Sequence, residues 1–274
     1  MGKVFTWKEV VRKRVPRPED FRLVIDEARG FFAGEESIVG AAVFGSVIRG
    51  DCNIRSDVDC FVLYDHTQER EAFRVLQSVT AVASLHRVPL TCIPCDTLLA
   101  ATHMHHIGSS LRRHLGKSMR IGGLLKGDPL RHIVGVRSSE KEVEEYLRFK
   151  LYGIQEAFGE VRTFSEEKFV SYLKKMLEAP VHVARKVLEH QGLLDGDSKR
   201  EVLASYVKHM ERGLSDQLRS LVMLDTLYTT VLLQQLEHPD ESDYRVFLQV
   251  LLSNSENVIA FIRANSMFLV ATAR

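Results

Sequence analysis

Cysteine is scarce in this chain, with four residues in 274. Cys52, Cys60, Cys92 and Cys95 are too few to staple a domain of this size. With no secretory leader at the start, the expectation is a protein of the reducing cytoplasm, held by a hydrophobic core. Long apolar runs are also lacking. The stretch from Ile38 to Ile48 is too short to cross a bilayer, which takes about 20 apolar residues, and the C-terminal one is interrupted by Arg263. No membrane association is expected. There is no excess of one charge either: the formal net charge is +1. A chain that coats nucleic acid carries a strongly basic surface, so the balance argues against that class. The charge is unevenly spread, with 20 Lys/Arg against 15 Asp/Glu in residues 1–137 and 17 against 21 in residues 138–274. The acidic second half is read as solvated helix faces.

What is present divides near the same point. Glu19 to Phe32 has helical spacing through Phe21, Val24, Ile25, Ala28, Phe31 and Phe32, with Gly34 as its stop. Ile38 to Phe44 reads as a buried strand and Val47 to Ser56 as a polar connection. Asp57 to Tyr64 reads as a second strand, with Val58, Cys60, Val62 and Tyr64 on one face and Asp57, Asp59, Phe61 and Leu63 on the other. A helix over 68–85 and a strand over 88–93 follow. A short helix is expected at 109–115, then a Gly-rich stretch from Gly122 to Pro129. From Ser138 the pattern is helical, with segments at about 140–158, 165–178, 180–191, 198–211, 214–237 and 242–268. Pro180, Gly192, Gly196, Gly213 and Pro239 stand at the expected breaks, and the last segment is expected to be interrupted near Ser253-Asn254-Ser255. The predicted domains are 1–137 and 138–274, the second a helical bundle.

The chemistry lies in Phe44-Gly45-Ser46 and, ten residues on, Asp57-Val58-Asp59-Cys60. Gly45 removes a Cβ where phosphate oxygens would approach the backbone, and Ser46 offers a hydroxyl and an amide. Residues i and i+2 of a strand point the same way, so Asp57 and Asp59 present two carboxylates together, the oxygen ligands Mg²⁺ prefers. Arg49, Arg55 and Ser56 lie in the intervening loop, within reach of a triphosphate.

This combination resembles the signature of the polymerase-β-like nucleotidyltransferase superfamily: hydrophobic-Gly-Ser, a spacer, then Asp-hydrophobic-Asp-hydrophobic. The order of elements extends the resemblance to roughly residues 20–100. The helical second half is similar to the small-molecule branch, which includes the kanamycin and streptomycin nucleotidyltransferases and the minimal nucleotidyltransferases. The resemblance implies an α+β fold, a mixed sheet with flanking helices followed by an all-α bundle that shapes an acceptor pocket. It implies transfer of NMP, most often AMP, from an NTP to a hydroxyl of a small molecule. Asp57 and Asp59 would hold two Mg²⁺ ions, Gly45 and Ser46 the NTP phosphates, with Arg49, Arg55 and Ser56 assisting. Similar antibiotic-modifying enzymes can share a site between two subunits, so a homodimer is implied as well. Transfer to a protein or RNA, as in toxin-type relatives, and a non-catalytic nucleotide-binding module are the alternatives.

One feature departs from the pattern. Most active members carry a third carboxylate on the next strand, and Val88 to Ile93 has none; Leu90 or Thr91 stands in its place. Asp96 is the nearest acid and is taken as the third catalytic residue. Glu142, Glu144 and Glu145 are the alternatives from the helical half. Cys92-Ile93-Pro94-Cys95, with His103, His105 and His106 nearby, has the residue types of a zinc site. No second Cys pair follows, and it is read as buried cysteines and surface histidines. Gly116-Lys117-Ser118 lacks the first Gly of a P-loop, having Leu111 there.

Overall fold

The computed structural model describes residues 16–53, 55–101, 109–133, 139–160, 166–237 and 252–272. They form two compact units, one within Arg14–Ser138 and the other within Ser139–Arg274.

The first unit opens with α1 (Pro18–Ala33), where Pro18 suits the first turn and the Asp20 carboxylate accepts the Arg17 N–H at 2.8 Å. Phe21, Val24, Ile25, Ala28 and Phe32 form its buried stripe; Phe31, expected on that stripe, faces solvent. Strands β1 (Ile38–Phe44) and β2 (Val58–Tyr64) pair antiparallel, and β3 (Leu90–Asp96) pairs parallel to β2. A parallel neighbour needs a crossover, which α3 (Glu69–Leu85) supplies; α2 is the four-residue helix Ser46–Arg49 between β1 and β2. The sheet order is β3-β2-β1-β4, with β4 (Leu124–Lys126) antiparallel to β1.

Both faces of the central strands are covered, which is why β1 reads as an unbroken apolar run rather than an alternating one. Val43, Cys60 and Val62 pack with Phe21, Phe32 and Val79 on one side. Ala42, Phe44, Phe61 and Leu63 pack on the other with Ala100 of α4 (Thr97–Ala101) and Leu115 of α5 (Ser109–Ser118). The alternation expected for β2 is therefore observed.

Several boundaries differ from the sequence reading. The strand expected at 88–93 runs from Leu90 to Asp96, through Pro94. Proline lacks a ladder donor and is confined to sheet edges, and β3 is an edge strand. The polar connection after β1 contains α2. The Gly-rich stretch contributes β4, preceded by a π-helical turn over Met119–Gly123. A Cβ at Gly123 would run into the carbonyl oxygen of Val43, so glycine permits the turn to close against β1.

The second unit contains α6 (Glu140–Glu160), α7 (Glu166–Gln191), α8 (Lys199–His209), α9 (Arg212–Glu237) and α10 (Ser255–Thr272), sharing one apolar core. The break expected at Pro180 does not occur: α7 is continuous through it. Proline there forfeits one helix hydrogen bond. Met176, Leu177, Ala179, Val181, Val183, Ala184, Val187 and Leu188 around it are all buried, and their packing outweighs that loss. Ser198 caps α8, accepting the Glu201 N–H while Glu201 accepts the Ser198 N–H at 3.0 Å. The expected helix at 242–268 lies partly outside the described residues; α10 begins at Ser255, where the interruption was expected. Buried polar pairs Tyr172–Ser255 (2.9 Å) and Tyr206–Asn265 (2.7 Å) fix α10 against α7 and α8. The architecture is thus α+β, a four-stranded mixed sheet with flanking helices followed by several helices, as the sequence predicted.

Candidate nucleotide and metal site

The site is built where β1 ends. Phe44 lies opposite Asp59 in the antiparallel register, so the residue after Phe44 emerges beside the second aspartate. Gly45 adopts φ 89°, ψ −161°, a conformation in effect reserved for glycine. A Cβ built on it would stand 2.6 Å from Asp59 Oδ2 and 3.5 Å from its Cγ. The backbone thus calls for glycine, and a side chain there would push the Asp59 carboxylate aside. Gly45→Ala is expected to displace Asp59 and to weaken NTP binding by at least about fivefold, since the backbone strain alone is worth roughly 1–3 kcal/mol. Calorimetric titration with NTP and Mg²⁺ measures this, and unchanged affinity would contradict it.

After Gly45, α2 turns the chain and is closed by Gly50, at φ 80° with its N–H on the Ser46 carbonyl. The loop that follows is held by Asn53 and Ser56. Asn53 Oδ1 accepts the Arg55 N–H at 2.8 Å, and the Asn53 carbonyl accepts the Ser56 N–H at 2.9 Å. Ser56 Oγ in turn accepts the Asn53 N–H at 2.9 Å and the Ser46 hydroxyl at 3.0 Å. Ser56, expected to contact the nucleotide, is buried behind the turn and anchors Ser46. The Ser46 hydroxyl must rotate away from Ser56 to meet a phosphate. Arg49 is paired with Asp51, Nε to Oδ1 at 3.2 Å, so a triphosphate would compete with that carboxylate. Arg55 is half-buried in the same loop.

Asp57 and Asp59 are both half-buried and share the sheet face that carries Phe61 and Leu63. Thr91 lies directly opposite Asp59 in the parallel register, and its hydroxyl donates to Asp57 Oδ2 at 3.2 Å. On the reverse face Cys60 and Cys92 are likewise opposite; the neighbouring Cys92 thiol and burial hold the Cys60 thiol well above its usual value.

Asp96 does not join the pair. It lies opposite Tyr64, five residues beyond Thr91, which at about 3.3 Å per residue places it some 16 Å along the strand. There its Oδ1 accepts the Leu99 N–H at 2.7 Å, capping α4. The structure therefore does not bring it together with Asp57 and Asp59; its carboxylate caps α4. The three glutamates are engaged within the helical unit, Glu142 with Lys186 (2.6 Å), Glu144 with Arg148 (2.9 Å) and Glu145 with Lys141 (3.9 Å).

Residues 25–107 match a family model described as a nucleotidyltransferase domain. Over that span, under a third of the chain, the protein is similar to nucleotidyltransferase domains. No curated protein matches it. The matched span encloses Gly45, Ser46, Asp57, Asp59 and Thr91, so the domain and the geometric site coincide. Such domains generally use an NTP and a divalent metal. Here the donor set suits one: two carboxylates on one face supply the hard oxygen ligands of Mg²⁺, which is typically held by one or two carboxylates with phosphate oxygens and water. Among the described residues no group of three or more His, Cys, Asp or Glu is placed to hold a metal. Cys92 and Cys95 fall on opposite faces of β3, which separates the thiols a zinc site would need; His103, His105 and His106 lie outside the described residues. Among those residues, no helix of the nucleotidyltransferase domain or of the helical unit is long and apolar enough to cross a membrane.

One contributor to the site, Asn53, escaped the sequence reading, and Thr91 entered it only as a residue standing where an acid was expected. Asn53 had a usable signal, since Asn three residues before Ser is a side-chain-to-backbone turn pattern. Thr91 had none beyond its place on the strand, because its contact with Asp57 spans 34 residues of sequence.

Proposed function

We propose that the protein transfers a nucleoside monophosphate, AMP in the first instance, from an NTP to a hydroxyl of a small-molecule acceptor. The observation that carries this reading is the contact between the Gly45 backbone and the Asp59 carboxylate, with Asp57 on the same face: phosphate and metal ligands meet at one point. Mg²⁺, two ions by the resemblance, would be held by Asp57 and Asp59 and would supply charge neutralisation at the α-phosphate and the departing pyrophosphate. Gly45 leaves the backbone open to the phosphates, Ser46 donates to them, and Arg49 exchanges Asp51 for the triphosphate, with Arg55 assisting from the same loop. The resemblance to antibiotic-modifying enzymes extends the proposal to a homodimer. The four free cysteines agree with action in the reducing cytoplasm.

The experiment is incubation of the protein with α-labelled NTPs and a cell extract, with and without Mg²⁺, followed by separation of small molecules, RNA and protein. Label is expected in the small-molecule fraction and only with Mg²⁺. Label in RNA or protein would replace the acceptor class. A second reading, a nucleotide-binding module without turnover, is favoured by one observation: the residue facing the pair is Thr91, not an acid. Calorimetric NTP binding with no labelled product in any fraction would establish it.

A further inference from the structure

We propose that Thr91 is a positioning residue for the metal site: its hydroxyl fixes the Asp57 carboxylate, and its side chain occupies the place from which a third carboxylate would reach the metal. The inference rests on the reading of Asp57 and Asp59 as the metal pair.

Three observations support it. The parallel register is tight at this end of the sheet, with the Val58 N–H on the Pro89 carbonyl at 2.8 Å, Val58 opposite Leu90 and Asp59 opposite Thr91. Cys60 and Cys92 pack into the core on the reverse face, so a slip that would turn Thr91 away from the aspartates would also expose them. Thr91 itself is exposed, so packing does not explain it; its polar contact is the donation to Asp57 Oδ2. A threonine on a strand has restricted χ1, which pre-sets the direction of that hydroxyl and hence of the carboxylate that accepts from it.

The chemical consequence concerns charge count. A divalent site gains affinity with each carboxylate added, and a metal held by two leaves more of its coordination to phosphate and water. The geometry therefore points to a site that is weak for metal alone and is completed by the triphosphate. An acid at position 91 would gather three carboxylates: repulsion would destabilise the metal-free protein, and metal would restore it.

The test is Mn²⁺ titration without nucleotide, followed by the electron paramagnetic resonance of the free ion, with thermal unfolding of each variant run with and without Mn²⁺. Thr91→Ser should bind as the parent does, within about twofold, because the donor remains. Thr91→Val should bind about threefold to tenfold more weakly, the range for the net loss of one ordinary hydrogen bond. Thr91→Asp should bind at least about tenfold more tightly and show a larger Mn²⁺-induced rise in melting temperature than the parent. Valine binding like the parent would remove the positioning role; aspartate binding no more tightly would remove the claim about reach. Asp57→Asn with Asp59→Asn serves as the separate control. If that variant keeps parental Mn²⁺ affinity, the metal-pair reading fails, whatever Thr91 does.

Discussion

Exchange of Asp57 and Asp59 together for asparagine is expected to abolish Mg²⁺-dependent NTP binding and to reduce transfer by at least about 10²–10³-fold, the scale seen when a single preorganised stabiliser of transition-state charge is lost. Asparagine keeps the shape of each side chain, including an oxygen able to accept from the Thr91 hydroxyl. What it removes is both negative charges from one face of β2. The half-burial of the two residues matters, because partly desolvated carboxylates attract a divalent ion more strongly than fully solvated ones. The fold should be untouched or slightly stabilised, since two like charges no longer share the strand end. Single-turnover transfer with labelled NTP, together with calorimetry with and without Mg²⁺, measures both quantities. Retention of both by a folded variant would remove the catalytic assignment.

The second large effect is expected far from the nucleotide loop in sequence. Glu142→Ala should destabilise the helical unit by about 3–5 kcal/mol, the range for breaking a buried ion pair from one side. Lys186 is 4% exposed, and its ammonium meets Glu142 Oε1 at 2.6 Å. Without that carboxylate the cation keeps the Tyr146 ring at 5.9 Å, a weaker partner, so the lower half of the range is favoured. The same ring lies 5.3 Å from Lys150, whose ammonium burial pushes below its usual value, and burial also holds the Tyr146 phenol above its own. The surroundings thus disfavour charge that lacks a partner. Denaturant unfolding followed by circular dichroism measures the loss. Glu142→Leu with Lys186→Met should recover most of it, because a packed apolar pair avoids desolvating charge. If Glu142→Ala unfolds with the parent, the pair contributes nothing. Glu142 is thereby read as a structural partner of Lys186, where the sequence offered it as a base.

The legible parts of the chain are those whose physics is local. Gly45-Ser46 and Asp57-Val58-Asp59 could be assigned because a small-residue turn and an i, i+2 carboxylate pair state their geometry within a few residues. The helices α1 and α3 announced themselves by apolar spacing. The misreadings share the opposite character. Pro94 looked like a strand end and Pro180 like a helix end, because the cost of proline is visible in sequence. Its relief, by an edge position in one case and a buried core in the other, is tertiary. β4 has three residues and exists only through pairing with β1. Asp96 was drawn towards the site for want of a nearer acid, and only the register with Tyr64 shows how far along the strand it lies. Ser56 was placed in the right loop, but its burial behind the turn could not be read from a polar stretch.

The two pairings of β2 also differ in what the chain must do before they form. Antiparallel pairing with β1 closes a short loop, so Gly45 meets Asp59 at small entropic cost. Parallel pairing with β3 waits for α3 to cross over, and only then does Thr91 meet Asp57, 34 residues away. The phosphate side of the site is therefore a product of local chain closure, while the side facing Thr91 depends on long-range docking. The site is assembled in two instalments, and the residue that distinguishes it arrives with the second.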